Sequence, residues 1–509
     1  MKLSSVSYKH WLAYLLMGLL VILYCVVAYQ SFGYDDEYYN IRLIRENGLW
    51  DIVKLVESND VHPPLSYVIN YFLYQLFGDW SLVRVMAGLF FLYSLYRLIN
   101  HPTYVAFSLY LILFIGFNPT ILLWVTSIRW YAYAIPVCIF LLCIPDYSKK
   151  TYWFQFFLGM LILSYIGYIG IILLVPYFLM YLMADKNDFA KKVKRIILPF
   201  ALYVLLYSFQ LYVLKYIHAN NDVSENQQTF DIKTSITTYV TSVFGNQAVF
   251  PISIAGVFSI IGTSIVLLIA YLNVIKKQLK FTNAIGFTVA SILFLVTGIA
   301  GKMRNLVFIE PFKNLFITTM GKGKYFKIVI VGLLFIFVGN AIGVYNVVTH
   351  QNTTKNAWNL PVPQTMQFIN TLEQPKVKEV YFTHSPSFSY HLISSGKNTI
   401  SFYNGLYFDS AYIKNSIATI QSDTTVQKNY TFLLTFKGRS ISEKHYEKMQ
   451  NSMKALKCDS VKTYYIKEDK EYLIKNRFYS DYPKHQVVVI KYYGVKNKND
   501  ELVSWEKLN

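Results

Sequence analysis

Long apolar runs separated by short polar joints fill the first two-thirds of the chain, and then the pattern changes. The first run is roughly 11–29. Others lie near 80–98, 103–124, 127–145, 151–166, 169–184, 195–217, 252–274, 282–300, 303–320 and 326–346. A helix needs about 20 apolar residues to cross the ~30 Å hydrocarbon core of a bilayer, so the pattern predicts about eleven spans. The first run follows Lys2, Lys9 and His10 and ends without a small-residue cleavage pattern. It therefore reads as a retained span, not a cleaved signal. From about His350 onward Asn, Thr, Lys and Ser rise, and short β-rich runs appear at 380–383, 430–435 and 487–490. The stretch 442–457 has the period of an amphipathic helix. The expected fold class is a polytopic α-helical membrane protein with a C-terminal soluble α/β domain. The expected domains are a transmembrane domain over 1–347, with an external loop at 30–79, and a soluble extracytoplasmic domain over 348–509.

Composition narrows the function classes. Hydrophobic residues make up 54% of the 509 and charged residues 15%, against about 25% charge in soluble chains. A wholly soluble enzyme and a disordered chain are both excluded. Four cysteines, three of them (Cys25, Cys138, Cys143) in apolar runs, exclude a small disulfide scaffold. The net charge of +19 is ordinary for a membrane protein that gathers Lys and Arg in its cytoplasmic loops, so no nucleic-acid partner is expected.

Those basic residues give the expected topology. Clusters near 97–101, 149–150, 186–195, 276–280 and 322–327 all fall on the cytoplasmic side if 62–78 lies along the outer interface instead of crossing. Its opening, His62-Pro63-Pro64, and its aromatic residues suit an interfacial helix. The N-terminus is then cytoplasmic, and the segment after the first span is external and acidic, with Asp35, Asp36, Glu37, Glu46, Asp51, Glu57 and Asp60.

Four groups of residues carry candidate chemistry, all at the expected outer face. Asp35-Asp36-Glu37 crowds three carboxylates at a membrane boundary, where one can serve as a general base; a solvated acidic loop is the plain alternative. His62 precedes two prolines that start a helix, where it either faces a polar site or merely ends a turn. Arg129, in Thr126-Ser127-Ile128-Arg129-Trp130-Tyr131, and Arg304, in Lys302-Met303-Arg304-Asn305, run against the positive-inside trend. A guanidinium at a bilayer edge needs a partner, and either a phosphate or the nearby carboxylates would serve. One His without a close ligand pair predicts no metal site. Elsewhere the expected charges sit at the outer ends of spans, and no internal repeat is visible.

The order Asp36-Glu37 after the first span, then His62-Pro63-Pro64-Leu65, then Arg129-Trp130-Tyr131, resembles the GT-C superfamily of membrane glycosyltransferases. The resemblance is to the branch that includes protein O-mannosyltransferases and the lipid A aminoarabinose transferase, and it covers roughly 10–320. It implies transfer of a sugar from a polyprenyl-phosphate donor to a protein, lipid or glycan acceptor on the non-cytoplasmic face, among membrane lipids and without a cofactor or metal. By position, Asp36 is the implied base, Glu37 its support and Asp35 an alternative base. Arg129 and Arg304 would hold the donor phosphate, and His62 and Tyr131 would contact substrate. Arg304 is followed by Asn305 where the family often has Tyr, a looser match. Two rival classes are a transporter or flippase of a lipid-linked sugar, and a membrane-anchored assembly protein whose working part is the C-terminal domain.

Overall fold

The computed structural model describes residues 8–30, 35–59, 62–144, 150–183, 189–220, 232–249, 253–276, 281–297, 303–318, 325–349, 362–373, 377–383, 386–397, 399–401, 428–435, 459–466 and 487–495. The helix expected over 442–457, together with Asp60, Lys302 and Cys458, lies outside them. The chain divides into two compact units. One comprises Met1–Phe32 and Glu46–Asn356; the other comprises Gly33–Arg45 and Ala357–Asn509. The segment Gly33–Arg45, expected within the external loop of the first domain, thus groups with the C-terminal residues.

The first unit is helical and apolar, and the chain is a multi-pass membrane protein. Among the described residues, five helices are long and apolar enough to cross a bilayer. These are α1 (Tyr8–Gln30), α5 (Trp80–Ile99), α11 (Phe189–Asn220), α13 (Ile254–Ile275) and α16 (Phe326–Val348). The run near 103–124 is a pair bent by 64°. It consists of α6 (Ser108–Leu111), continued by a π-turn over Ile112–Gly116, and α7 (Pro119–Val125). Four further runs form shorter apolar helices: α8 (Tyr131–Leu142), α9 (Lys150–Ile166), α10 (Ile169–Leu182) and α14 (Phe281–Val296). The short helix α12 (Ile232–Tyr239) precedes α13, and the run near 303–320 begins as a 3-10 helix, Met303–Ile309, and continues as α15 (Glu310–Thr318). Twelve helical residues reach only ~18 Å, so α8 is too short to cross on its own axis.

Side-chain size explains how these helices meet. Lipid gives no hydrophobic drive for helix association, so close packing at small residues supplies it. A Cβ on Gly262 of α13 would come 2.5 Å from the Gly332 carbonyl of α16, and one on Gly339 would come 1.8 Å from Ser259 Oγ. Beside these contacts the rings of Phe258 and Phe335 stack at 4.9 Å. On the other side of the unit, Tyr24 of α1 stacks on Phe91 of α5 at 5.1 Å and donates to the Gly116 carbonyl at 3.1 Å. That bond gives a polar partner to the π-turn, whose backbone pairing is irregular.

Between α1 and α5 in sequence lie three helices too short to span: α2 (Asp35–Glu46), α3 (Leu49–Asn59) and α4 (Leu65–Phe77). Pro63 and Pro64 are buried, and Pro64 caps α4. Gly78 takes φ +66° and ends α4 by donating its N–H to the Tyr74 carbonyl at 2.7 Å, a conformation glycine adopts freely. Asp79 then caps α5, accepting from Ser81 N–H at 2.7 Å.

The C-terminal unit carries a five-stranded mixed sheet. Its strands are β1 (Lys378–Thr383), β2 (Thr399–Ser401), β3 (Lys428–Thr435), β4 (Ser460–Ile466) and β5 (Val487–Val495), in the order β2-β1-β3-β5-β4. β1 pairs in parallel with β2 and β3, and β5 pairs antiparallel with β3 and β4. The three β-rich runs of the sequence are β1, β3 and β5. Helix α17 (Val362–Leu372) precedes the sheet, and α18 (Pro386–Ser394) makes the crossover from β1 to β2. The core joins Ile369, Phe388 and Leu392 from the helices to Tyr381, Leu433 and Val489 from the sheet. Inside the sheet Lys491 pairs with Glu379, whose oxygens also accept from Asn429 Nδ2 and Thr431 Oγ1, each at 3.1 Å. This buried charge pair is fully hydrogen-bonded, the condition under which one is tolerated.

Candidate active site

In the apolar unit, two of the segments singled out from the sequence, and the helix that carries a third, meet around one indole. The His62 ring lies 5.4 Å from the Trp130 ring. Trp130 stacks on Phe308 at 5.2 Å and 12°, and lies tilted against Tyr131 at 4.1 Å. Phe308 sits on the same 3-10 helix as Arg304, four residues on, a rise of about 8 Å along the axis. The site thus gathers the turn before α4, the joint between α7 and α8, and the 3-10 helix before α15.

Local chemistry explains the joint. Asn118 Oδ1 caps α7, accepting from Thr120 N–H at 2.9 Å and Ile121 N–H at 3.1 Å, with Pro119 in the first helical position. At the other end Thr126 Oγ1 donates to the Leu122 carbonyl at 2.9 Å and Ser127 Oγ to the Trp124 carbonyl at 2.7 Å. These bonds turn the chain at once into α8, where the Arg129 and Trp130 carbonyls accept the first helical N–H groups. Arg129 is 5% exposed and Trp130 4%. Helix α4 is tied to α8 by Tyr133, whose hydroxyl donates to Asn70 Oδ1 at 2.6 Å. That bond keeps the His62 turn beside Trp130.

Close packing fixes the indole itself. A Cβ on Gly167, between α9 and α10, would stand 2.6 Å from Trp130 Cε3, so only glycine leaves room there. The buried Trp130 Nε1–H finds no hydrogen-bond acceptor among the described residues. Tyr131, expected to contact substrate, is 1% exposed and packs its ring against Trp124, Trp130 and Phe308.

The carboxylates belong to the C-terminal unit. They are not in an irregular loop. Asp35, Asp36 and Glu37 occupy the first turn of α2, the end at which a helix stabilises negative charge. Glu37 is wholly buried, which overturns the solvated-loop alternative for that residue; the side chains of Asp35 and Asp36 lie outside the described residues. Next to Glu37, the Tyr38 hydroxyl meets His391 Nε2 at 3.0 Å.

Sequence reasoning missed a second polar cluster, in the apolar unit. Glu310 and Lys313 form an ion pair at 2.6 Å with side chains 2% and 8% exposed. Asn118 Nδ2 donates to Glu310 Oε2 at 2.7 Å, Lys313 Nζ donates to the Val243 carbonyl at 2.8 Å, and Asn314 Nδ2 donates to the Glu310 carbonyl at 2.9 Å. Asn246 and Asn340 also line the small cavity beside this pair. The expectation that charges sit only at the outer ends of spans is therefore wrong. The signal was a Glu and a Lys three residues apart within the apolar run 303–320, diluted by the residues around them.

No protein-family model matches the chain, and no curated protein matches it in sequence. Among solved structures it is similar to ArnT from Cupriavidus metallidurans, solved bound to undecaprenyl phosphate. The identity is 10% and the TM-score 0.49, over 95% of this chain and 98% of that one.

Proposed function

We propose that the chain is a membrane glycosyltransferase, moving a sugar from a polyprenyl-phosphate donor to an acceptor on the non-cytoplasmic face. The observation that carries this reading is the meeting of His62, Trp130 and Phe308. It joins the His-Pro-Pro turn to both arginine-bearing segments, which lie far apart in the sequence. Two guanidinium groups carried by neighbouring segments suit a lipid phosphate, whose oxygens their planar forks match.

The chemistry needs little more. The leaving group is a phosphate anion, so positive charge placed where negative charge develops is the main requirement. Arg129 and Arg304 supply it and hold the donor. Asp36 takes the acceptor hydroxyl proton as the bond to the anomeric carbon forms, with Glu37 in support and Asp35 as the alternative base. Direct displacement inverts that carbon. His62 offers a polar contact to the sugar, and Tyr131 holds the Trp130 indole in place beside it. The acceptor is a protein, a lipid or a glycan.

A flippase is the second reading, favoured by the buried Glu310–Lys313 pair and the bent helix pair, features found at transport sites. Against it, the two charges neutralise each other and are tied to Asn118 and to backbone, an arrangement that suits a fixed joint. Transfer of radiolabel from a polyprenyl-phosphate sugar to acceptor, by the purified protein in vesicles, separates the two. A covalent product supports transfer; lipid translocation without a product overturns it.

A further inference from the structure

Helix α2 carries the three carboxylate positions in its first turn and packs on α18 of the same unit. Residues 37–44 are all buried. Tyr38 and Arg45 stand seven residues apart and therefore share a face. Both reach α18. The Tyr38 ring lies 5.0 Å from Tyr390 and 5.2 Å, edge-on, from His391, with the 3.0 Å hydrogen bond between its hydroxyl and His391 Nε2. The Arg45 guanidinium sits over the Tyr390 ring at 5.7 Å. α18 is in turn anchored in the sheet core by Phe388 and Leu392, both fully buried. A continuous packed path thus runs from the sheet through Phe388, Leu392, Tyr390 and His391 to Tyr38, one residue from Glu37.

We propose that the C-terminal domain is a working part of the transferase: its crossover helix clamps α2 through His391 and Tyr390, making them positioning residues for the Asp35–Glu37 turn. The proposal rests on the glycosyl-transfer reading above. It gives the domain a task that neither the sequence nor its sheet topology assigns. A general base must stand within hydrogen-bond reach of the proton it removes, and a misplacement of about 1 Å costs roughly 100-fold in rate. A short helix that begins just after a membrane span and must present a carboxylate therefore needs an external brace. The Tyr38 hydroxyl and the edge-on imidazole fix the rotation of α2 about its axis, which decides where its first-turn carboxylates point.

The test uses the full-length protein in vesicles and reads transfer kinetics and amide hydrogen exchange together. His391→Ala is expected to lower kcat about tenfold while leaving the donor KM within about twofold, since the donor is held elsewhere. It should also speed exchange over 37–45 and leave 378–383 and 487–495 unchanged. His391→Gln, which keeps a hydrogen-bonding tip, should restore most of both effects. Tyr38→Phe, which removes one hydroxyl and no packing, should lose rate alike, and the double variant should lose little more. Tyr38→Phe also decides the matter if His391→Ala fails to fold. A normal wild-type rate with unchanged kcat and exchange in the variants overturns the clamp alone. A wild-type protein that forms no glycosylated product overturns the transfer reading and the clamp's catalytic purpose together.

Discussion

Asn118 and Glu310, 192 residues apart in the sequence, are joined by a 2.7 Å hydrogen bond inside the apolar unit. Each stands at the root of an arginine-bearing segment. Asn118 caps the helix that leads to Arg129, and Glu310 opens the helix that follows the Arg304 turn. One carboxylate therefore fixes the spacing of both. Removing it also strands Lys313, and breaking one side of a buried pair costs about 3–5 kcal/mol. Glu310→Ala should lower the thermal midpoint markedly in detergent. Glu310→Leu with Lys313→Met, which removes both charges, should recover most of that stability. A Glu310→Ala protein as stable as wild type would mean that the pair bears no load.

Arg304→Ala should raise the donor KM by about 10- to 100-fold, the worth of a charge-assisted hydrogen bond of roughly 1.5–3 kcal/mol. The acceptor KM should move far less. Initial rates measured against each substrate in turn separate the two; equal losses for both would assign Arg304 a structural role.

Asp36→Asn keeps the shape of the side chain and removes its basicity. It should cut transfer by about 10²–10⁴ while binding of the polyprenyl-phosphate sugar persists. Asp35→Asn, assayed beside it, decides the register. If Asp35→Asn is the inactive variant and Asp36→Asn the active one, the base lies one residue earlier on α2.

The membrane part of the fold was legible because most of the apolar runs are continuous: ten of the eleven correspond to apolar helices or a bent helix pair, whereas the run near 303–320 is a 3-10 helix followed by α15 with Glu310 and Lys313. Strands β1, β3 and β5 were legible for a similar reason, being runs of β-branched and aromatic residues. β2, with three residues, is too short to register. α2 was missed because it is short and opens on three consecutive carboxylates, so its acidic start looks like a loop. Within the candidate site, the segments of His62, Arg129 and Arg304 were singled out from their order along the chain, and the first two meet at the His62–Trp130 contact. Their common anchor, Phe308, was not, because a phenylalanine in an apolar run is indistinguishable from core. The Asn118–Glu310 bond could not be read at all, since no local period encodes a contact across that separation. The grouping of 33–45 with the C-terminal residues is invisible for the same reason.

Gly167→Ala adds one methyl where the indole of Trp130 leaves none, at 2.6 Å. Overpacking of this kind costs about 1–3 kcal/mol, and here it falls on the ring that His62 and Phe308 share. Transfer should drop more steeply than thermal stability does. A Gly167→Ala enzyme with full activity would show that the position of Trp130 does not matter to the reaction.

The clamp between His391 and Tyr38 should also respond to pH. Burial lowers the His391 pKa below its ordinary value of 6.5. Among the described residues, the Tyr38 hydroxyl and the Tyr38 and Tyr390 rings pack on the imidazole. A histidine whose folded pKa lies below its unfolded one binds fewer protons when folded, so stability rises with pH across that interval. The contribution is fully present above pH 6.5 and is lost as the pH falls through the lowered folded value. Hydrogen exchange over 37–45 should therefore be slow at neutral pH and quicken on mild acidification, after correction for the intrinsic pH dependence of exchange. His391→Gln, which cannot titrate, should flatten that response. An unchanged acid response in His391→Gln would place the sensitive group elsewhere.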